Sequence, residues 1–411
     1  MSGTAATGGA FSLPPVTAGL LAGFVGFAST FAVIIAGLTA VGATQAQAAS
    51  GLMALSVAMG LAGILLSLRR RQPISVAWST PGVALLATTA VPEGGFAAAV
   101  GAFLVCGVAI VIAGLWKPLG RAVAAIPAPL ANAMLAGVLL GLCLAPIEAV
   151  AQFPVIGLAV VITWAVVARL RRLMAVPAAV LVTAAMIAWN AGLVPGVPPA
   201  ASWPGLTDWP GYGVAELLPL PVFVMPVFEP AAMIGIALPL FIVTMASQNI
   251  PGIAVLNANG YHPEPGPLFT TTGVFSLLAA PLGGHAVNLA AITAALCAGP
   301  DAHPDPSKRY GAAVVAGCAY IGFGLLAGLA TALIAAAPPV LIEAVAGLAL
   351  LGAFGASLAA ALSQPEHREA AVVTFLVTAS GLTLLGISGA FWGLVAGGAM
   401  MALARWRAPK A

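Results

Sequence analysis

The chain has 411 residues, 61% of them hydrophobic and only 6% charged, with 14 Lys+Arg against 11 Asp+Glu for a net charge of +3. A soluble chain is roughly 45–50% apolar and about 25% charged. So few charges, with a mean hydropathy of +1.10, exclude the soluble globular, disordered and nucleic-acid-binding classes and leave an integral membrane protein.

Met1–Pro15 is Gly/Ala-rich without a basic leader, so no cleavable signal peptide is expected. Apolar stretches follow at about 16–41, 51–68, 73–89, 95–115, 122–145, 150–168 and 174–191. A second series runs at about 230–256, 268–281, 284–299, 310–336, 338–362, 369–385 and 388–405. At about 20 residues per span these predict an all-α polytopic membrane protein with about fourteen transmembrane segments. Between the two series, residues 192–229 form a Pro-, Gly- and Trp-rich connector that contains Asp208 and Glu216, with room for one interfacial helix.

Placement of charge tests this reading. With a cytoplasmic N-terminus, the inner loops hold Arg69, Arg70, Arg71, Lys117, Arg121, Arg169, Arg171, Arg172, Lys308, Arg309, Arg368, Arg405, Arg407 and Lys410. These are all 14 Lys and Arg residues, and the positive-inside rule then places both termini in the cytoplasm and the connector outside. Seven spans on either side of the connector invert the second half, which predicts a 7+7 inverted repeat: residues 1–191 and 230–411. That is a transporter architecture with its site near the midplane, where the repeats meet. The four cysteines, Cys106, Cys143, Cys297 and Cys318, fall in apolar segments and read as buried packing thiols.

Irregularities recur at matching places in the halves. Spans 1 and 8 carry polar residues at mid-membrane, Ser29 and Thr30 in one, Ser247, Gln248 and Asn249 in the other, with Pro251 expected to break span 8 just beyond. Span 3 reads Pro73-Ile-Ser-Val-Ala-Trp78-Ser79-Thr80-Pro81-Gly82 before an apolar helix. Proline is favoured in a first turn and Ser or Thr at an N-cap, so an extended run leads into a half-helix whose N-terminus lies near the midplane. Span 10, Gly283-Gly284-His285-Ala286-Val287-Asn288 and then an apolar helix, repeats the pattern with Asn288 as candidate N-cap. Two half-helix N-termini approaching from opposite sides favour an anion.

The carboxylates fall in loops or within about a turn of a span end, leaving His285 as the readily titratable side chain near the midplane. Intramembrane ionisable groups are costly and usually functional. A negative interior opposes an anion by about 2.3 kcal/mol per 100 mV, so concentrating one calls for a co-transported cation, and no cluster of intramembrane carboxylates is present for sodium. His285 is therefore the candidate for proton coupling. Gln248 and Asn249 are candidates for orienting a substrate, Trp78 for contacting a ring, and Ser29 and Thr30 for facing the site from span 1. Carboxylate binding is expected at Ser79, Thr80 and Gly82 and at Ala286, Val287 and Asn288. The loop Gly299-Pro-Asp301-Ala-His303-Pro-Asp305-Pro has the residue types of a metal cluster, but its prolines favour a rigid capped turn. No metal or other cofactor is expected, with protons as the coupling ion, and no nucleophile–base set at depth suggests an enzyme.

Three segments, Pro73–Leu86, Ala246–Tyr261 and Gly283–Tyr310, strongly resemble the bacterial benzoate:proton symporter family, and the likeness extends over nearly the whole chain. The resemblance implies uptake of benzoate across the bacterial inner membrane with protons. That family is in turn distantly similar to uracil permease and the nucleobase–ascorbate transporters. Their fold has short strands in spans 3 and 10, a core domain (here about 16–115 plus 230–336) and a gate domain (about 122–191 plus 338–405). Its members are often dimers with elevator-like motion. Where those proteins carry acidic residues in spans 8 and 10, this chain has Gln248 and His285. The competing expectations are a transporter of another small organic anion or a nucleobase in the same fold, and an anion channel.

Overall fold

The computed structural model describes residues 9–116, 118, 127–190, 219–335, 338–385 and 387–407. Lys117, Arg121, Asp208, Glu216, Lys410 and the interfacial helix expected in the connector lie outside the described residues.

The chain is mostly helical. Helix α1 (Leu13–Ala28) opens with prolines in its first turn and is followed by α2 (Phe31–Ala40). The break falls at Ser29 and Thr30, whose hydroxyls turn back onto the Gly26 carbonyl, Thr30 at 2.9 Å and Ser29 at 3.4 Å. Such back-bonding competes with the helical ladder and marks where it gives way. Helix α3 (Gln45–Arg70) starts with a reciprocal capping box between Thr44 and Gln47 and stops at Arg71 in the left-handed region. Strand β1 (Val76–Trp78), α4 (Thr80–Ala87) and α5 (Gly95–Leu115) follow. Then come α6 (Ala128–Gln152), α7 (Pro154–Leu170) and α8 (Ala175–Asn190).

Helix α9 (Pro230–Ala258) is continuous but contains two π-helical turns, Met233–Ala237 and Met245–Asn249. Pro251 does not break it. Each π turn ends just before a proline, Pro239 or Pro251, and an amide reaches five residues back, Leu238 N–H to Met233 O and Ile250 N–H to Met245 O. The widened turn accommodates the ring and missing donor that would kink a regular helix. The remainder is α10 (Pro265–Ala279), β2 (Val287–Leu289), α11 (Ile292–Ala298), α12 (Tyr310–Leu325), α13 (Ala327–Ala335), α14 (Pro339–Ala361), α15 (Arg368–Ala379) and α16 (Gly389–Arg407). Between the last two helices, β3 (Thr383–Leu384) pairs with β4 (Ile387–Ser388).

Among the described residues, six helical stretches are long and apolar enough to cross a membrane: Leu13–Ala40, Gln45–Arg70, Gly95–Leu115, Ala128–Gln152, Pro230–Ala258 and Pro339–Ala361. Helix α3 packs on α12, α10 on α5, and α1 on α12; α6 packs on α14 and α15, and α15 on α16. A large apolar core joins α2, α3, α4, α5 and the middle of α9 around the β1–β2 pair. A second cluster links Ala32 of α2 to Ile156, Ile187, Leu341 and Val345 of α7, α8 and α14. Of the cysteines, Cys106, Cys143 and Cys297 are buried, but Cys318 is exposed on α12, so it is not a core thiol. A helix apolar all round offers lipid-facing positions to a thiol as readily as buried ones.

Candidate functional site

Strands β1 and β2 cross as an antiparallel pair, with Val76 opposite Leu289, Ala77 opposite Asn288 and Trp78 opposite Val287. The ladder extends at both ends: Ser79 N–H donates to Ala286 O and Ala290 N–H to Ser75 O, each at 3.0 Å. Inside a membrane no water serves the free edge of such a pair, so protein must. On the outer side of β2, Val287 N–H donates to Ser276 Oγ of α10 at 2.8 Å and Leu289 N–H to Asn249 Oδ1 of α9 at 2.9 Å. Asn249 is thus fully buried and occupied by the sheet, with its Nδ2 against Met245 Sδ, 3.2 Å away.

Each strand leads into a short helix. Ser79 caps α4, its Oγ accepting from Gly82 N–H at 3.2 Å, and Thr80 is the first helical residue. Ser79 Oγ also accepts from the Thr244 hydroxyl of α9 at 2.9 Å. A Cβ at Gly82 would collide with Leu240 of α9, so glycine lets α4 and α9 approach here. The second half-helix differs from expectation. Helix α11 begins at Ile292 after Ala291, with no side-chain cap, and Asn288 sits inside β2. Asn288 therefore is not an N-cap, and Ala286, Val287 and Asn288 do not form a helix N-terminus. Their backbone goes into the sheet and Ser276, and the Asn288 amide, in the orientation that satisfies both its ends, shares the Ser79 N–H with Ala286 O at 3.0 Å and donates to Leu289 O at 2.9 Å. The strand precedes the helix by several more residues than the Gly-Gly signal suggested.

Trp78 is buried. Its indole N–H donates to Thr30 Oγ1 at 2.8 Å, and its ring lies 5.6 Å from Phe27, which stacks on Phe31 at 5.7 Å and meets Phe323 at 5.1 Å. The break of the first span is thereby tied to β1. His285 is buried ahead of β2, its ring edge-to-face with Phe103 at 6.3 Å, and neither nitrogen has a hydrogen-bond partner among the described residues. Ser29, Thr30, Thr80, Ser247 and Gln248 keep part of their surface exposed, and the Gln248 side chain makes no hydrogen bond with any described residue. Phe31 and Ala32 of α2 close against Ile187 of α8 and Ile342 and Val345 of α14 around a residual space of about 20 Å³.

The structure thus gathers Thr30 with Trp78, and Gly82 and Asn288 with Ser79, while Asn249 holds β2 at Leu289 and the His285 ring, just ahead of Ala286, lies against Phe103. Thr244 and Ser276, which hold the crossing together, carry no signal in the sequence beyond being hydroxyl residues in apolar spans. Among the described residues no group of His, Cys, Asp or Glu could hold a metal ion. The 299–309 loop is a capped turn: His303 Nδ1 accepts from Asp305 N–H at 2.9 Å, and Arg309 donates to the His303 and Ala298 carbonyls at 2.6 and 2.9 Å.

A multi-pass helical body in which two paired strands feed two half-helices at the centre defines a membrane transport protein of the broken-helix kind. The chain belongs to the benzoate membrane transport protein family, BenE, whose family model matches residues 9–403. It is 42% identical over 391 residues to the inner membrane protein YdcO of Escherichia coli, covering 94% of this chain and 95% of that one. It is 31% identical over 387 residues to the benzoate membrane transport protein of Acinetobacter baylyi, covering 94% of each. Among solved structures, SLC26A9 superposes with a TM-score of 0.60 at 13% identity, covering 95% of this chain and 65% of that chain. The transmembrane domain of the cyanobacterial bicarbonate transporter BicA superposes with a TM-score of 0.54 at 16% identity, covering 95% and 97%. At these identities the two structures speak for the fold alone.

Proposed function

We propose that the chain is a secondary active transporter, not an enzyme, that imports benzoate or a close aromatic carboxylate together with protons across the bacterial inner membrane. The observation that carries this is family membership over nearly the full length, with a benzoate transport protein 31% identical across 94% of the chain. In this reading the fourteen apolar stretches are spans of a 7+7 inverted repeat, with both termini cytoplasmic. The helices α1–α5 and α9–α13 form a core that moves against a gate of α6–α8 and α14–α16, and a homodimer is the working assembly. The most extensive packing, of α3 with α12 and of α6 with α14, falls within each group and supports that division. The carboxylate sits at the N-terminus of α4, near Ser79, Thr80 and Gly82, with Gln248 as its polar partner. Ser29 and Thr30 border the site from the first span.

His285 is the proposed proton carrier. An imidazole whose two nitrogens lack partners is costly to bury, and that cost is relieved when the core moves and the ring meets the substrate carboxylate or water. Uptake of labelled benzoate into proteoliposomes, with and without an imposed pH gradient, tests the reading. Accumulation driven by an alkaline interior is expected, competed by aromatic acids and not by nucleobases. Equal flux without a gradient would make the protein an anion channel, and competition by nucleobases would shift the substrate class. A His285→Ala chain that still accumulates benzoate normally would remove His285 from coupling.

A further inference from the structure

Leu61, Ile64, Leu65 and Leu68 of α3 and Phe275 of α10 line an open groove of about 530 Å³ that ends at Arg69. Leu61, Leu65 and Leu68 recur at helical spacing on one face of α3 and are 44%, 42% and 45% exposed. In a membrane-spanning helix such a face meets acyl chains. The last turn of α3 carries Arg69 and Arg70 before the helix stops at Arg71. Arg71 is committed elsewhere, donating to the Tyr310 hydroxyl at 2.6 Å with its guanidinium 5.1 Å above that ring. The Arg69 guanidinium makes no hydrogen bond or ion pair with any described residue.

We propose that this groove binds an acyl chain of an anionic phospholipid, with the headgroup phosphate on Arg69. Arginine presents a planar fork of donors that matches phosphate oxygens, and its aliphatic stem continues the apolar wall while the charge reaches the interface. A zwitterionic lipid fills the same groove without the net attraction. The placement matters because α3 supports the strand crossing. Ser67 Oγ–H donates to Ile74 O at 3.0 Å just ahead of β1, and Gly51 lies against Gly283 just ahead of β2. A lipid seated on α3 braces the helix on which both strands rest.

The full chain in detergent is titrated with phosphatidylglycerol or phosphatidylcholine at equal concentration and followed by native mass spectrometry. Arginine near an anionic headgroup contributes about 1 kcal/mol, so phosphatidylglycerol should be retained about fivefold more than phosphatidylcholine. Arg69→Gln should bring the two to parity, while Arg70→Gln, outside the groove, should keep most of the preference. Equal retention of both lipids by the wild type, an undiminished preference in Arg69→Gln, or the same loss in both variants would overturn the assignment. So would efficient crosslinking of Leu65→Cys chains to each other in a Cys318→Ala background, which would make the groove a contact between copies.

Discussion

The Thr244 hydroxyl donates to Ser79 Oγ across 2.9 Å, joining the middle of α9 to the cap of α4. The same Ser79 oxygen accepts from Gly82 N–H at 3.2 Å, so the orientation of the α4 N-terminus depends on a residue 165 positions away. A hydrogen bond of this kind contributes about 0.5–1.5 kcal/mol. With the carboxylate at the α4 N-terminus, as proposed above, Thr244→Val should weaken substrate binding by about threefold to tenfold, whereas Thr244→Ser should bind nearly as the wild type does. The KM for labelled benzoate in proteoliposomes reads this directly. Equal shifts in the two variants would assign the effect to packing.

A second prediction concerns Thr30, which accepts from the Trp78 indole at 2.8 Å and donates to Gly26 O at 2.9 Å. Thr30→Val leaves a buried indole N–H without an acceptor, which costs about 1–3 kcal/mol. Its thermal unfolding midpoint in detergent should fall by several degrees, with Thr30→Ser restoring most of the loss. An unchanged midpoint in Thr30→Val would mean that this bond contributes nothing to holding the first span against β1.

The difference between the two broken segments shows what a sequence can specify. In span 3 the signals are local: a β-rich run, then Ser79 as a cap and Pro81 in the first turn, and the strand and half-helix form there. In span 10 the local signal misleads, because Asn288 has the chemistry of a cap but is used by β2 and the Ser79 amide. The start of α11 at Ile292 has no capping side chain to announce it. Ser276 and Asn249 become necessary only once the register exposes Val287 and Leu289 N–H at a membrane-buried edge. That demand is tertiary. Pro251 likewise signals a break until the preceding π turn absorbs it, and a π turn leaves no trace in hydrophobic periodicity.

The loop between α11 and α12 has a pH dependence of its own. The Asp305 carboxylate accepts from the Ser307 hydroxyl at 2.7 Å and from the Ser307 N–H at 2.9 Å, which holds its carboxyl below the ordinary value of 3.8. Because the folded pKa is depressed, the contribution is complete above the unfolded value and lost as pH falls through the folded one. The turn should therefore be unaltered across the neutral range and loosen only below the ordinary carboxylate value. Carboxyl-carbon NMR should find Asp305 titrating low in the wild type and moving up in Ser307→Ala. A normal pKa in the wild type would contradict the capped turn.

The packing of α14 on α6 makes the sharpest stability prediction. Pro146 lies inside α6 and has no N–H to offer the carbonyl four residues back, so Leu142 O loses its helical donor. That oxygen is directed at Gly347 of α14, where an added Cβ would fall on it and come within 3.0 Å of Pro146 Cδ. Small residues let membrane helices approach this closely. Both obstructions are backbone or a proline ring and neither yields by a rotamer change. Gly347→Ala should destabilise the protein by about 1–3 kcal/mol despite the better helix propensity of alanine. Gly355, on the same helix with nothing within 4 Å of its would-be Cβ, provides the control. Gly355→Ala should be neutral or slightly stabilising, and thermal unfolding of the two variants side by side separates the close approach from helix propensity. Matching behaviour would mean that α14 and α6 do not meet through the Leu142 carbonyl.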